Sequence, residues 1–211
     1  AEPKKEGEKV DINQGFKFLM QNKLLRALII MVFTMVLCLS VINVGDVFLI
    51  TDILGADSLI YGLVGSGFAI GTLLFSMFAG IKKFSPIREL QMLGLGMAVL
   101  TLSAFVVGTA PNYWVVMVIW FFAGMGNATI NTYGVGMMIK VTPFDVQGRV
   151  FAAFGSIISV ASIGSMSIAG GLIGLAGVRN VFIFAGILAF LAFVIFFPTV
   201  YREQRKIIAE S

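Results

Sequence analysis

Six stretches of twenty or more residues carry almost no charge, at about residues 24–50, 59–81, 90–110, 114–139, 150–175 and 181–200. A helix needs roughly 20 largely apolar residues to cross a hydrocarbon core of about 30 Å, where every backbone N–H and C=O must be satisfied within the segment itself. Each stretch meets that requirement, so the expected fold class is an all-α membrane protein with six transmembrane helices. Of the 211 residues, 58% are hydrophobic and only 12% charged, whereas soluble domains hold about 25% charged residues. Water cannot be the solvent for most of this surface. The first stretch follows a charged segment of 23 residues and is too long for the apolar part of a signal peptide, so it is expected to persist in the mature protein.

The basic residues set an orientation. Lys4, Lys5, Lys9, Lys17, Lys23 and Arg26 precede the first span, and Lys82, Lys83 and Arg88 follow the second. Lys140 and Arg149 follow the fourth, Arg202, Arg205 and Lys206 follow the sixth, and Arg179 stands alone on the opposite side. The positive-inside rule then predicts a multi-pass protein of the cell membrane with both termini cytoplasmic. Charges scattered over short loops make no nucleic-acid footprint, so the expected partner is the lipid bilayer. Residues 1–23 read as a cytoplasmic linker and interfacial helix. Within them, residues 1–15 mix Lys and Glu as a solvated tether, and Phe16, Leu19, Met20, Lys23 and Leu24 recur at helical spacing. Residues 24–201 form the six-span bundle and 202–211 a cytoplasmic tail. Pro86, Pro111, Pro143 and Pro198 are all placed in loops or at span ends, where proline does not break a helix ladder.

Laying the last three spans on the first three at an offset of 88 residues pairs Ile42-Asn43 with Ile130-Asn131 and Gly67 with Gly155. A repeat of three spans must be inverted in the membrane. Glycines crowd the second, fourth and fifth spans, including Gly67 to Gly71 and Gly170 to Gly174, so those helices are expected to pack closely. The third and sixth, rich in Leu, Val, Ile and Phe, read as lipid-facing.

Polar side chains inside hydrocarbon are costly, and those that persist face a water-filled cavity or bond across helices. Asn43 and Asp46 share one face of the first span, three residues apart, and Asn127 and Asn131 share one face of the fourth, four apart. Asn43, Asn127 and Asn131 are therefore candidates for a substrate cavity, with interhelical bonding as the alternative. Asp46, the only acid within a span, is the candidate for proton coupling, with a hydrated helix end as the alternative. Histidine is missing and Cys38 is the single cysteine. No H-E-x-x-H, G-x-S-x-G, Walker loop or C-x-x-C occurs, so neither catalysis nor a metal or other cofactor is expected.

The run Thr142-Pro143-Phe144-Asp145-Val146-Gln147-Gly148-Arg149-Val150 resembles the cytoplasmic loop between spans ten and eleven of the major facilitator superfamily. Gln147 stands where that motif has its first Arg. The loop Gly80-Ile81-Lys82-Lys83-Phe84-Ser85-Pro86-Ile87-Arg88 resembles the family's second basic loop without its Asp. On this resemblance the loop-motif residues are Pro86, Arg88, Pro143, Gly148 and Arg149. The segment Gly15-Phe16-Lys17-Phe18-Leu19 with Asn22 and Leu24 is similar to the run before span seven in the drug and proton antiporter branch, which holds macrolide and enterobactin exporters.

The resemblance implies one half of a major facilitator fold, a 3+3 inverted repeat corresponding to spans seven to twelve, with an N-terminal six-span half missing from the sequence. It also implies that the first, second, fourth and fifth spans line a central cavity while the third and sixth stay outside. The expected activity is efflux of a small amphipathic substrate by alternating access, driven by a proton gradient. Phe33, Met35, Trp120 and Phe121 are further candidates for the cavity wall, with plain packing as the favoured alternative for each. Alternatives are a lipid, sugar or siderophore transporter of the same fold, or a non-transporting six-span scaffold.

Overall fold

A computed structural model describes residues 12–81 and 84–210. The tether reading of residues 1–11, and the basic residues Lys82 and Lys83, lie outside the described residues. Everything described is helical or in short connections. Six helices are long and apolar enough to cross a membrane: Lys23–Ile53, Ser58–Ile81, Pro86–Gly108, Tyr113–Val141, Gln147–Ala176 and Val178–Ala209.

A short amphipathic helix precedes them. In α1 (Ile12–Gln21) Leu19 is fully buried and Gly15 lies against the Arg149 backbone, while Phe16 and Lys17 are exposed. It begins inside the stretch read as a tether and packs on the start of α7 (Gln147–Ala176). Asn22 then turns the chain into α2 (Lys23–Val47): its side-chain oxygen accepts from the N–H groups of Leu24 and Leu25 at 3.0 and 3.1 Å. Such a cap satisfies donors that the first helical turn cannot satisfy itself, worth about 1 kcal/mol.

The other spans start by similar local chemistry. Asp57 accepts from the Ile60 N–H ahead of α3 (Ser58–Ile81), Pro86 occupies the first position of α4 (Pro86–Gly108), and Asn112 caps α5 (Tyr113–Thr129) through the Val115 N–H. Proline fits that first position because its missing N–H would have no intrahelical partner. Two π-helical turns interrupt the ladders. One, at Phe48–Ile53, ends the first span; the other, at Ile130–Gly134, joins α5 to α6 (Val135–Val141) within the fourth. Gly177, at φ +79°, makes the tight turn from α7 into α8 (Val178–Glu210). That φ is a region that glycine enters without steric penalty.

Packing follows a pseudo-twofold pattern. α3 packs on α5 and α7 on α2; α2 packs on α8 and α5 on α4; α4 and α8 pack on each other. Exchanging the triplet α2, α3, α4 for the triplet α5–α6, α7, α8 maps every one of these pairs onto another or onto itself, as a 3+3 inverted repeat requires. Two apolar clusters result. One joins Leu24, Leu25, Met31, Leu90, Met138 and Val150 near the basic ends of the spans, and the other joins Ile42, Leu49, Val64, Val107 and Phe182 near the opposite ends.

Three expectations from the sequence are corrected. First, the third span has a packed face as well as an exposed one: half of the most apolar stretch of α4 is buried within this bundle, while Leu95, Leu102 and Val106 stay exposed. The cause is three glycines hidden among its large residues. A Cβ at Gly94 would enter the Phe197 ring, one at Gly96 the Thr129 side chain, and one at Gly108 would lie 2.9 Å from the Arg179 carbonyl. Second, the glycines of α7 mediate no packing within this six-span bundle, because Gly155, Gly164, Gly170, Gly171 and Gly174 have no atom of it within 4 Å of an added Cβ. Third, Pro198 does not end a span: α8 runs through it to Glu210. The lost ladder bond there is offset by packing, since Val200 and Gln204, beyond the proline, are both buried.

The lone basic residue on the far side has a defined role. Arg179 donates to the carbonyls of Gly108 and Ala110 at 3.2 and 2.9 Å, tying the start of α8 to the end of α4. Hydrogen bonds to a charged group contribute about 1.5–3 kcal/mol. Arg179→Ala is therefore expected to lower stability by roughly that amount, read as earlier thermal unfolding of the detergent-purified full-length protein. An unchanged transition would show that the two carbonyls do not depend on Arg179.

Candidate functional site

Between the two apolar clusters α2, α3, α4 and α5 diverge around a cavity of about 470 Å³. Its wall on α2 follows helical spacing, with Met35, Leu39, Asn43 and Asp46 on one face. From α3 come Tyr61, Gly65 and Phe68, from α4 Met97, Leu100 and Ala104, and from α5 Trp120 and Asn127, with Ile130 of the second π turn. Gly65 has no atom within 4 Å of an added Cβ, which leaves space between the two rings that flank it in sequence.

Asp46 is the only charged side chain lining the cavity. Trp120 Nε1–H donates to its carboxylate at 3.1 Å, joining α2 to α5 across 74 residues of sequence. Phe68 meets the same indole edge to face, with centroids 6.4 Å apart. No ion pair forms at Asp46 among the described residues. Asn43 donates weakly to the Ser40 carbonyl at 3.4 Å, so its amide stays largely available to the cavity.

Of the residues singled out in the sequence, Asn43, Asp46 and Asn127 meet at this one cavity. Asn131 does not line it. Exposed on the second π turn, it donates to the Asn127 carbonyl at 3.0 Å. That carbonyl also accepts the Ile130 backbone N–H, so the Asn131 amide is a second donor at the junction of α5 and the π turn. The expectation about which spans line the cavity changes at two places: α4 contributes three residues and α7 none. Tyr61 and Phe68 were not anticipated, because aromatic residues are common in spans. Their spacing of seven, matched by Trp120 and Asn127, is the sequence signal that relates them.

The loop-motif residues lie at the basic ends of the spans. Gln147, standing where the motif has Arg, donates to the carbonyls of Ile139 and Thr142 at 3.2 and 3.1 Å, closing the end of α6. Pro143 and Gly148 are exposed, and Phe144 beside them is 91% exposed. Pro86 and Arg88 begin α4, and the next residue, Glu89, pairs with Lys140 of α6 at 2.7 Å. That ion pair joins the start of α4 to the end of α6. Among the described residues no three His, Cys, Asp or Glu side chains come together to hold a metal ion.

A family model described as Major Facilitator Superfamily matches residues 8–211. The chain therefore belongs to that superfamily of membrane transporters and is a multi-pass membrane protein, not an enzyme. Among curated proteins of Arabidopsis thaliana, it is 36% identical over 70 residues to "Probable sphingolipid transporter spinster homolog 1", covering 32% of this chain and 14% of that protein. It is 29% identical over 114 residues to "Organic cation/carnitine transporter 2", covering 53% of this chain and 22% of that protein. The chain thus matches well under a third of the length of either relative. No solved structure matches it.

Proposed function

We propose that this chain is the C-terminal half of a secondary active transporter that moves small amphipathic compounds by alternating access, in exchange for protons. A single observation carries the reading. The one charged side chain in a largely apolar cavity, Asp46, is held by Trp120 and stands beside Asn43 and Asn127. Intramembrane carboxylates are costly to keep, and in transporters they serve proton relays and substrate sites. The second six-span half would close the cavity from the opposite side, and the two halves would rock about it. Both termini face the cytoplasm of the cell membrane on this reading, since the basic residues collect at that end.

The segment 15–24 supports the drug and proton antiporter branch of macrolide and enterobactin exporters. A second reading, transport of a lipid or an organic cation on the same fold, draws support from the names of the two plant relatives. Vesicles carrying the full-length protein are expected to extrude a fluorescent amphipathic dye when a proton gradient is imposed. Asp46→Asn is expected to remove the gradient-driven part of that flux while leaving the protein folded. Unchanged flux in the variant would place coupling elsewhere, and no wild-type flux with several dyes would contradict the exporter reading.

A further inference from the structure

The last span carries a second candidate site, on its outer surface. Leu188, Leu191 and Ile195 of α8 are 55%, 48% and 65% exposed and follow one another at helical spacing, and Arg202 and Lys206 continue the same row. Fourteen residues separate Leu188 from Arg202, about 21 Å of helix. One leaflet, headgroups included, is about 20–22 Å deep. With Arg202 at the membrane surface, the row reaches the bilayer mid-plane, apolar along the acyl chains and basic at the headgroups. Tyr201 suits that surface level as an interfacial aromatic, and Arg205 lies over its ring at 6.0 Å.

The basic head of the row is built from two helices. Lys206 donates to the Glu203 carboxylate at 2.6 Å, and both Arg202 and Lys23, at the start of α2, stand within Coulombic reach of that carboxylate. One acid therefore faces three cations, and the excess is positive. The Lys206 side chain stays 63% exposed, and Lys23 and Arg202 are exposed as well. Like charges gathered at a surface repel one another, and an anion seated among them relieves the repulsion. A free phosphate ion would use the charges alone. A phospholipid also covers the apolar side chains that continue the row.

We propose that this face of α8 binds an anionic phospholipid, its phosphate held by Lys23, Arg202 and Lys206 and an acyl chain lying along Ile195, Leu191 and Leu188. On the orientation read from the basic residues this is the cytoplasmic leaflet, the one that carries anionic lipid. Because Lys23 belongs to the first span and Arg202 to the last, the headgroup ties the two ends of the bundle together. A zwitterionic lipid brings its own cation to the cluster and loses that advantage. The site stands apart from the Asp46 cavity, to which α8 contributes no residue, and it holds its lipid as a fixed part of the protein, not as cargo.

The test is equilibrium binding of phosphatidylglycerol with a labelled acyl chain to the purified full-length protein in detergent. Labelled phosphatidylcholine serves as the comparison without net charge. Phosphatidylglycerol should bind the more tightly, and its affinity should fall with added salt. Arg202→Gln combined with Lys206→Gln should weaken it by about tenfold or more, as expected for two basic residues at an anionic headgroup. Glu203→Gln, which removes the competing carboxylate, should strengthen it. Neither change should move the affinity for phosphatidylcholine. Equal affinity for the two lipids, a folded double variant with wild-type affinity, or weaker binding in Glu203→Gln would overturn the proposal. So would displacement of the lipid by inorganic phosphate or by polyglutamate at comparable concentration, which would assign the cluster to a free anion or to an acidic chain.

Discussion

Gly71→Ala, a change of one methyl group, is expected to destabilise the bundle by about 3 kcal/mol, near the upper end of what overpacking costs. The physical reason lies in the crossing of α3 and α5. A Cβ at Gly71 would run into the Phe121 carbonyl, and a Cβ at Gly124 on the facing helix would run into the Phe68 carbonyl. One turn away, an added Cβ at Gly67 would lie 2.6 Å from the Met117 carbonyl. These obstacles are backbone atoms, so no rotamer change relieves them and the helices must separate. Without a hydrophobic drive between helices in lipid, that close approach is itself the source of association. Gly174→Ala makes the matching control, because nothing in this six-span bundle lies within 4 Å of its added Cβ. There the substitution should stabilise slightly, since alanine is favoured over glycine by up to about 1 kcal/mol inside a helix. Thermal unfolding of the full-length protein reads both. Equal effects at the two positions would contradict the assigned packing.

Trp120→Phe is expected to reduce gradient-driven flux by about tenfold to a hundredfold, the equivalent of one hydrogen bond to a charged group. The substitution keeps an aromatic face in the cavity and removes only the Nε1–H that Asp46 accepts at 3.1 Å. A carboxylate freed from that donor loses its fixed position between α2 and α5. Phe68→Leu, which removes the edge-to-face partner but leaves the hydrogen bond, should have a smaller effect. Both variants are to be checked for unchanged thermal unfolding, so that lost flux is not lost protein. Wild-type flux in Trp120→Phe would mean that Asp46 needs no positioning by the indole.

Much of this architecture is legible in the sequence because lipid enforces it. Six apolar stretches can only be helices, and an asymmetric set of Lys and Arg residues orders them. Polar residues are rare enough in the spans that Asn43, Asp46 and Asn127 stand out singly, and the fold brings all three to one cavity. Packing partners are harder to read, because a glycine's value depends on what faces it. Gly67 to Gly71 and Gly170 to Gly174 have the same spacing, yet the first meets backbone and the second open space. Conversely, Gly94, Gly96 and Gly108 are hidden among leucines and valines in α4, and they let that span pack closely on α5 and α8. The π turns at Phe48–Ile53 and Ile130–Gly134 have no marker in residue type. Asn131 stands on the second of them and does not line the cavity that Asn127 and Ile130 line. Pro198 shows the same limit, since buried residues beyond it carry α8 past a residue that by itself favours an end.

In the alternating-access mechanism proposed above, the cavity beside Asp46 opens in turn to the two sides of the membrane. Cys38 is the only cysteine of the chain, so Asn127→Cys in a Cys38→Ser background, with any other cysteines of the full-length protein replaced, gives one reporter thiol in the cavity wall. Labelling with a membrane-impermeant maleimide, applied from one side or the other of sealed vesicles, measures its accessibility. Alternating access predicts labelling from both sides in proportions that shift when the proton gradient is imposed or reversed. Labelling confined to one side under every condition would contradict it.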